Sequence, residues 1–268
     1  MRSGRIRCFA LSFLLLPLLV LGAYAGTITL GTAGSYAVLA GSAVDIYGPA
    51  TLSGDLGLWP AASSYITGLT SVTFASGTED NTDAMTAQGD LTTAFNTAAG
   101  LSVPPTNALT TISGATTLPP GVYSISSAAA LTGTLTLKGG PGALFVFQSG
   151  AFTTGSGASA LTVLFFNTTT DSYGYDPDIF WETGSSMTLG TYTALEGNIL
   201  ALTSITLDPY STITCGSALA RNGAVTLSGY NTISGCGSET TVPEPGTLGL
   251  LGSGLAILAG VARRRMRI

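Results

Sequence analysis

The 268-residue chain contains no histidine. Without imidazole there is no Ser-His-Asp or Cys-His nucleophile, no histidine acid–base pair and almost no zinc site. Basic charge is nearly as scarce. Seven of the nine Lys and Arg lie in two short terminal stretches. Residues 26–242 keep only Lys138 and Arg221 against 13 acidic residues, a net charge of −11. Neutralising phosphates takes several Lys or Arg, so nucleic acid is excluded as a partner. Charged residues of either sign make up only 9% of the chain, against about a quarter in ordinary soluble proteins. No acidic pair stands in a setting that points to glycoside hydrolysis. No glycine-rich phosphate loop follows a strand. The chain reads as a non-enzyme without a cofactor.

Cysteine is rare as well, with three in all. Residues 1–25 carry Arg2, Arg5 and Arg7, an apolar run over 8–22, and Ala23-Tyr24-Ala25, the pattern of a secretory signal peptide cut by signal peptidase. Cys8 falls within it, leaving Cys215 and Cys236 as an even pair for an oxidising compartment. A bridge between them closes a loop of about 20 residues, worth roughly 3 kcal/mol; the other reading is two inert thiols in the core.

A second apolar run, residues 246–262, is followed by Arg263, Arg264, Arg265 and Arg267. The run is just long enough to cross a bilayer as a helix. Preceded by Val242-Pro243-Glu244-Pro245, this end resembles the PEP-CTERM sorting signal of Gram-negative bacteria. The resemblance implies an exosortase partner, removal of residues 243–268 and delivery to the cell surface or extracellular matrix. The membrane is then met only through a transient segment. A plain single-span anchor is the alternative.

What the chain has in quantity is threonine, its commonest residue, and glycine, 36 in all. Three segments repeat: Ser186-Met187-Thr188-Leu189, Ser204-Ile205-Thr206-Leu207 and Ala224-Val225-Thr226-Leu227, their threonines set at steps of 18 and 20. Thr134-Leu135-Thr136-Leu137 and Ala151-Phe152-Thr153-Thr154 read as the same strand in earlier coils. The longer step of 35 from Thr153 to Thr188 suggests a loop inserted around residues 167–178. In a strand alternate side chains take opposite faces. Met187, Leu189, Ile205, Leu207, Val225, Leu227, Leu135 and Leu137 therefore point inward, and the threonines outward. Short strands recurring at that near-constant step, with glycine-rich corners, predict a β-solenoid, whose stacked coils bury an aliphatic core. Within residues 78–100, Ala84, Ala87, Gln88, Leu91, Ala94, Phe95 and Ala98 recur at helical spacing instead. Glu79, Asp80 and Asp83 are expected in that helix's first turn, Gly100 at its end, and the helix itself flat along one face.

Further segments occur in a telling order: Ser35-Tyr36-Ala37-Val38-Leu39-Ala40-Gly41, Leu52-Ser53-Gly54-Asp55-Leu56-Gly57, Leu118-Pro119-Pro120-Gly121-Val122-Tyr123, Phe145-Val146-Phe147-Gln148, Gly197-Asn198-Ile199-Leu200-Ala201 and Ala218-Leu219-Ala220-Arg221. Together they resemble the ice-binding-like (antifreeze) family over nearly all of 27–236. The resemblance implies a discontinuous right-handed three-faced parallel β-helix with one long α-helix packed along it. It also implies a flat Thr/Ser-rich face that adsorbs to ice through ordered water. Outward residues two apart on a strand lie about 6.7 Å apart, and coils stack about 4.8 Å apart. Thr134/Thr136, Ala151/Thr153, Ser186/Thr188, Ser204/Thr206 and Ala224/Thr226 are thus expected to form one two-column grid. Threonine is also a preferred strand residue, so an outward column that binds nothing is the bland alternative.

Tyr192, Tyr210 and Tyr230 recur at equivalent turns where the family has small residues. They read as an aromatic ladder between coils, or as stacking sites for a polysaccharide. On the second reading the protein is a structural or carbohydrate-binding component of the matrix. Asp171, Asp176 and Asp178, with Glu182 nearby, suggest a Ca²⁺ loop only by composition, and a solvated acidic loop is the preferred reading. A polysaccharide lyase needs a cationic base with Ca²⁺, and Arg221 is expected instead to pair with a carboxylate at a corner.

Overall fold

Strands of the form apolar–threonine–apolar dominate: Met187–Leu189, Ile205–Leu207 and Val225–Leu227. Each buries its two outer side chains fully and leaves the threonine half-exposed. Strands this short do not hold alone. Each pairs in parallel with its equivalent in the next coil. The computed structural model describes residues 27–236 apart from 128, 130, 176 and 177. The expected signal peptide, residues 1–25, and the sorting segment with Pro243, Glu244 and Pro245 lie outside the described residues.

Repeated pairing builds three sheets around one aliphatic core. The first runs Asp55–Leu58, Tyr36–Ala40, Ala218–Ala220, Asn198–Ala201, Ile179–Thr183, Phe145–Ser149, Gly121–Ile125, Ala108–Leu109. The second, here the short-strand face, runs Phe152–Thr153, Met187–Leu189, Ile205–Leu207, Val225–Leu227, Val44–Ile46, Ile66–Thr67. The third, the long-strand face, runs Val72–Ser76, Ala50–Ser53, Asn231–Ser234, Thr212–Thr214, Ala194–Glu196, Leu161–Asn167, Gly133–Gly139, Ala115–Leu118. Inside, the Trp181 ring stacks on Phe147 at 4.2 Å and meets Phe152 edge-on at 5.7 Å, while its Nε1–H donates to the Glu196 carbonyl at 2.9 Å.

Spatial order is not chain order. The first coil stacks on the last, through Val38 with Ala218, Val44 with Val225 and Thr51 with Thr232. The coil of Asp55–Leu58, Ile66–Thr67 and Val72–Ser76 caps that end. The chain must then return to the far end, and the helix Ala84–Ala99 supplies most of the span. Its 16 residues cover about 24 Å at about 1.5 Å each, some five coil spacings of about 4.8 Å.

The helix docks on the first sheet because that sheet's outward residues are apolar. Ala84, Ala87, Leu91, Ala94, Phe95 and Ala98 pack on Leu39, Val122, Val146, Phe180, Leu200 and Leu219. Gln88 Nε2 donates to the Ala220 carbonyl at 3.1 Å, and Gln148 Nε2 to the Ala98 carbonyl at 2.7 Å, beyond reach of the helix's own donors. The buried core extends from Ile28 to Ile233, so the described domain carries its own interior.

Two expectations need correction, the acidic first turn of the helix and the partner of Arg221. The helix starts at Ala84, with no acidic residue in its first turn. Glu79 bridges to Leu56 and the Asp80 amide donates to the Leu56 carbonyl, so residues 79–80 prolong the sheet edge. Gly100 stands at the helix end as expected, in the right-handed region at φ −80°. Arg221 lies over the Phe95 ring, 4.9 Å from its centre, a cation–π contact rather than a carboxylate pair.

Glu182 lies two residues beyond Phe180, on the side of the strand that faces the helix, and is 5% exposed. Burial pushes its carboxyl up to about 7 from the ordinary 4.5. The folded state therefore holds a proton that the unfolded state has already released. Stability from this group is full below about pH 4.5 and is lost as pH rises to about 7. Thermal melts of wild type should fall across that interval, and Glu182→Gln should flatten the slope.

Candidate functional site

On the short-strand face the register is unbroken. Thr153 pairs with Thr188, Thr188 with Thr206, Thr206 with Thr226, Thr226 with Asp45, and Asp45 with Thr67. Beside this column lie Ser186, Ser204, Ala224 and Ala43, whose carbonyls join the same ladder. Ser186 Oγ accepts from the Ser204 amide at 3.3 Å, and Ser204 Oγ from the Ala224 amide at 3.3 Å. Those hydroxyls are thus fixed by the neighbouring coil. The threonines are restricted at χ1 by their branched Cβ. The result is an in-register column of outward threonines, flanked by serine hydroxyls that accept hydrogen bonds from the neighbouring coil.

Thr134 and Thr136 are not part of it. Their strand pairs with Leu161–Asn167 and Ala115–Leu118 on the long-strand face. Between Gly139 and Phe152 the chain passes through Phe145–Ser149 of the helix-covered sheet, so the two threonine-bearing segments occupy different faces. The interval of 17 from Thr136 to Thr153 falls close to a coil length by coincidence. The single grid expected from sequence is therefore split over two faces.

The long-strand face has its own column: Thr73, Thr51, Thr232, Thr212, Ala194, Thr162 and Thr134. It is not level. The ladder between Leu161–Asn167 and Ala194–Glu196 shrinks to the pair Thr162–Ala194, and the Phe165 amide donates to Glu196 Oε2 at 3.0 Å. An antiparallel strand, Ser172–Gly174, is added there, and a cavity of about 250 Å³ opens beside Leu164, Tyr173, Tyr175 and Glu196. This hairpin is the insertion that lengthens the step from Thr153 to Thr188.

Asp45 and Thr67 belong to the short-strand column but escaped the sequence reading. Val44-Asp45-Ile46 has the right apolar flanks, yet its central residue is not threonine. The Thr-x-Ser/Thr steps after Tyr210 and Tyr230, Thr212-Ile213-Thr214 and Thr232-Ile233-Ser234, were equally visible and belong to the long-strand face.

At the corner between these two faces Tyr192, Tyr210 and Tyr230 stack, with ring centres 5.0 and 4.8 Å apart and planes within 5°. Tyr210 has a neighbour on each ring face. All three backbones are left-handed, at φ 65°, 63° and 54°. Cys215 and Cys236 form a disulfide. Asp171 is exposed, Asp178 is half-buried with its carboxyl raised by burial, and Asp176 lies outside the described residues. Among the described residues no group of three His, Cys, Asp or Glu is placed to hold a metal ion.

The ice-binding-like family profile matches residues 38–234, and the PEP-CTERM protein-sorting motif matches residues 241–266. The chain is 44% identical over 249 residues to an ice-binding protein of Nostoc sp. (strain HG1), covering 89% of this chain and 87% of that one. It is 31% identical over 213 residues to an ice-binding protein of Flavobacterium frigoris (strain PS1), covering 75% and 74%. The solved ice binding protein from an Antarctic biological consortium superposes with TM-score 0.64 at 36% identity, over 77% of this chain and 90% of that one. That of the ascomycete Antarctomyces psychrotrophicus gives 0.67 at 30% identity, over 79% and 99%.

The ladder yields a test. Tyr210→Ala loses two stacked pairs, about 1–3 kcal/mol in total. Tyr210→Gly loses the same contacts but relieves the left-handed backbone, worth about 1 kcal/mol. Denaturant unfolding should place Gly between wild type and Ala.

Proposed function

Because the chain belongs to the ice-binding-like family, we propose that it is an exported protein that adsorbs to ice through the short-strand face and thereby blocks crystal growth. The observation that carries this reading is the in-register column Thr153, Thr188, Thr206, Thr226, with Ser186 and Ser204 beside it. A strip already ordered loses little rotamer entropy when it organises a layer of water, and such water can merge with the lattice of ice. Thr134 and Thr136 fall outside this site. The activity needs no catalysis, cofactor or metal.

Export fits the same picture. The sorting motif at 241–266 supports handling by an exosortase, and residues 1–25 read as a peptide removed by signal peptidase. The destination is the surface or extracellular matrix of a Gram-negative bacterium. The Cys215–Cys236 disulfide suits that oxidising compartment.

A second reading, stacking of a matrix polysaccharide on Tyr192, Tyr210 and Tyr230, is weakened by the ladder. The rings cover one another's inner faces, which leaves only the two outermost faces for sugar. Purified residues 26–242 should inhibit ice recrystallisation at micromolar concentration. Thr206→Tyr, which places a large ring in the middle of the strip, should weaken inhibition severely with little change in melting temperature. Unhindered recrystallisation together with retention on a polysaccharide column would favour the second reading.

A further inference from the structure

We infer that Asp45 ends the ice-contact array: its charge divides the column of the short-strand face into a four-threonine block that engages ice and a remnant that does not. The inference rests on the ice-binding reading above and says where that surface stops.

Within this sheet's strand pairings, among the described residues, the column has six rungs, Thr153, Thr188, Thr206, Thr226, Asp45 and Thr67. Nothing in the coil requires a carboxylate at the fifth. Val44 and Ile46 on either side are buried like Val225 and Leu227 of the adjoining strand, so the position faces outward as the threonines do. Threonine itself is well suited to such a strand position.

The difference lies in how each side chain meets water. A threonine hydroxyl donates one hydrogen bond and accepts others, beside a methyl. That mixture can stand in for a lattice water whose neighbours include both donors and acceptors. An ionised carboxylate only accepts, and it turns the hydrogens of surrounding water towards its charge. Water held in that way does not fit the donor–acceptor alternation of ice. The effect reaches the next rung as well. Thr67 Oγ1 donates to Asp45 Oδ1 at 3.1 Å, which commits the terminal hydroxyl's proton to the carboxylate.

The boundary coincides with the break in the chain path. Val44–Ile46 comes from the first coil, and Val225–Leu227, on which it stacks, comes from the last. At about 4.8 Å per coil, the four-rung block from Thr153 to Thr226 is about 14 Å long, and all six rungs would extend it to about 24 Å.

The test compares wild type, Asp45→Asn and Asp45→Thr as purified residues 26–242, each with and without Thr206→Tyr, in recrystallisation and thermal-hysteresis assays. Circular-dichroism melts confirm equal folding. Asparagine removes the charge but keeps an oxygen to accept from Thr67, so it separates charge from local positioning. Asp45→Asn should act at a several-fold lower concentration than wild type, Asp45→Thr at a lower one still, and Thr206→Tyr should cancel both gains. An active wild type with both variants no better, or worse, would overturn the inference while leaving the ice reading intact. If wild type and both variants are all inactive, the ice reading fails and the inference falls with it. An inactive wild type with an active Asp45→Thr would overturn the claim that the four-threonine block engages ice by itself.

Discussion

Register between successive coils is the constraint on which the rest depends. Each coil must place an aliphatic pair inward at the same height as its neighbour's pair, or the core loses contact along its whole length. Where this holds, the residue between the two is forced outward and every outward residue joins a column. Charge has no place in such an interior. Some of the buried polar groups serve the turns. Asn231 Nδ2 donates to the Asp208 carbonyl at 2.8 Å, and the Thr154 and Thr193 hydroxyls share a bond of 2.6 Å. Both arrangements satisfy groups that would otherwise be costly to bury.

One rule thus produces three unlike faces, and the outward residue decides which is which. Leucine, valine and phenylalanine at outward positions of the first sheet make it apolar on both sides, and an alanine-rich helix covers it. Threonine, serine and alanine, with Asp45, line the short-strand face, and no helix covers it. The long-strand face begins in the same way with Thr51, Thr212 and Thr232. It then departs from level where Leu164, Phe166 and the inserted hairpin intervene. Small side chains alone do not make a flat surface; the absence of insertions along the ladder matters as much.

Much of this was legible in the residues. The inward pairs, the outward threonines, the helix stripe from Ala84 to Ala98 and the inserted loop all follow from periodicity. The assignment of strands to faces did not. In a three-faced coil the same apolar–threonine–apolar signature serves two open faces, and spacing in sequence cannot tell a full turn from a turn plus an insertion. Thr134 and Thr136 were misplaced for that reason. The helix start was missed because acidic residues before a helix look alike whether they cap it or extend a strand, and here Leu56 offered a backbone partner. The column's last two rungs were hidden by Asp45, since a pattern keyed on threonine does not register its replacement.

The tyrosine corner joins stability to the proposed surface. A left-handed backbone costs a bulky residue about 1–2 kcal/mol. Three such residues cost about 3–6 kcal/mol, and two stacked pairs return only about 1–3. The stacking therefore does not by itself hold the corner in this conformation. The balance comes from the coil, where the Tyr192 amide donates to the Pro209 carbonyl and the Tyr210 amide to the Gly229 carbonyl. Such conformations persist only where their surroundings over-determine them. A corner so fixed gives the strand before it little freedom to shift. Met187–Leu189, Ile205–Leu207 and Val225–Leu227 each enter this corner directly, and their threonines are the centre of the candidate strip. The ladder is better understood as a brace for the corner that follows the strip than as a second binding surface. A strip braced in that way keeps its hydroxyls in place.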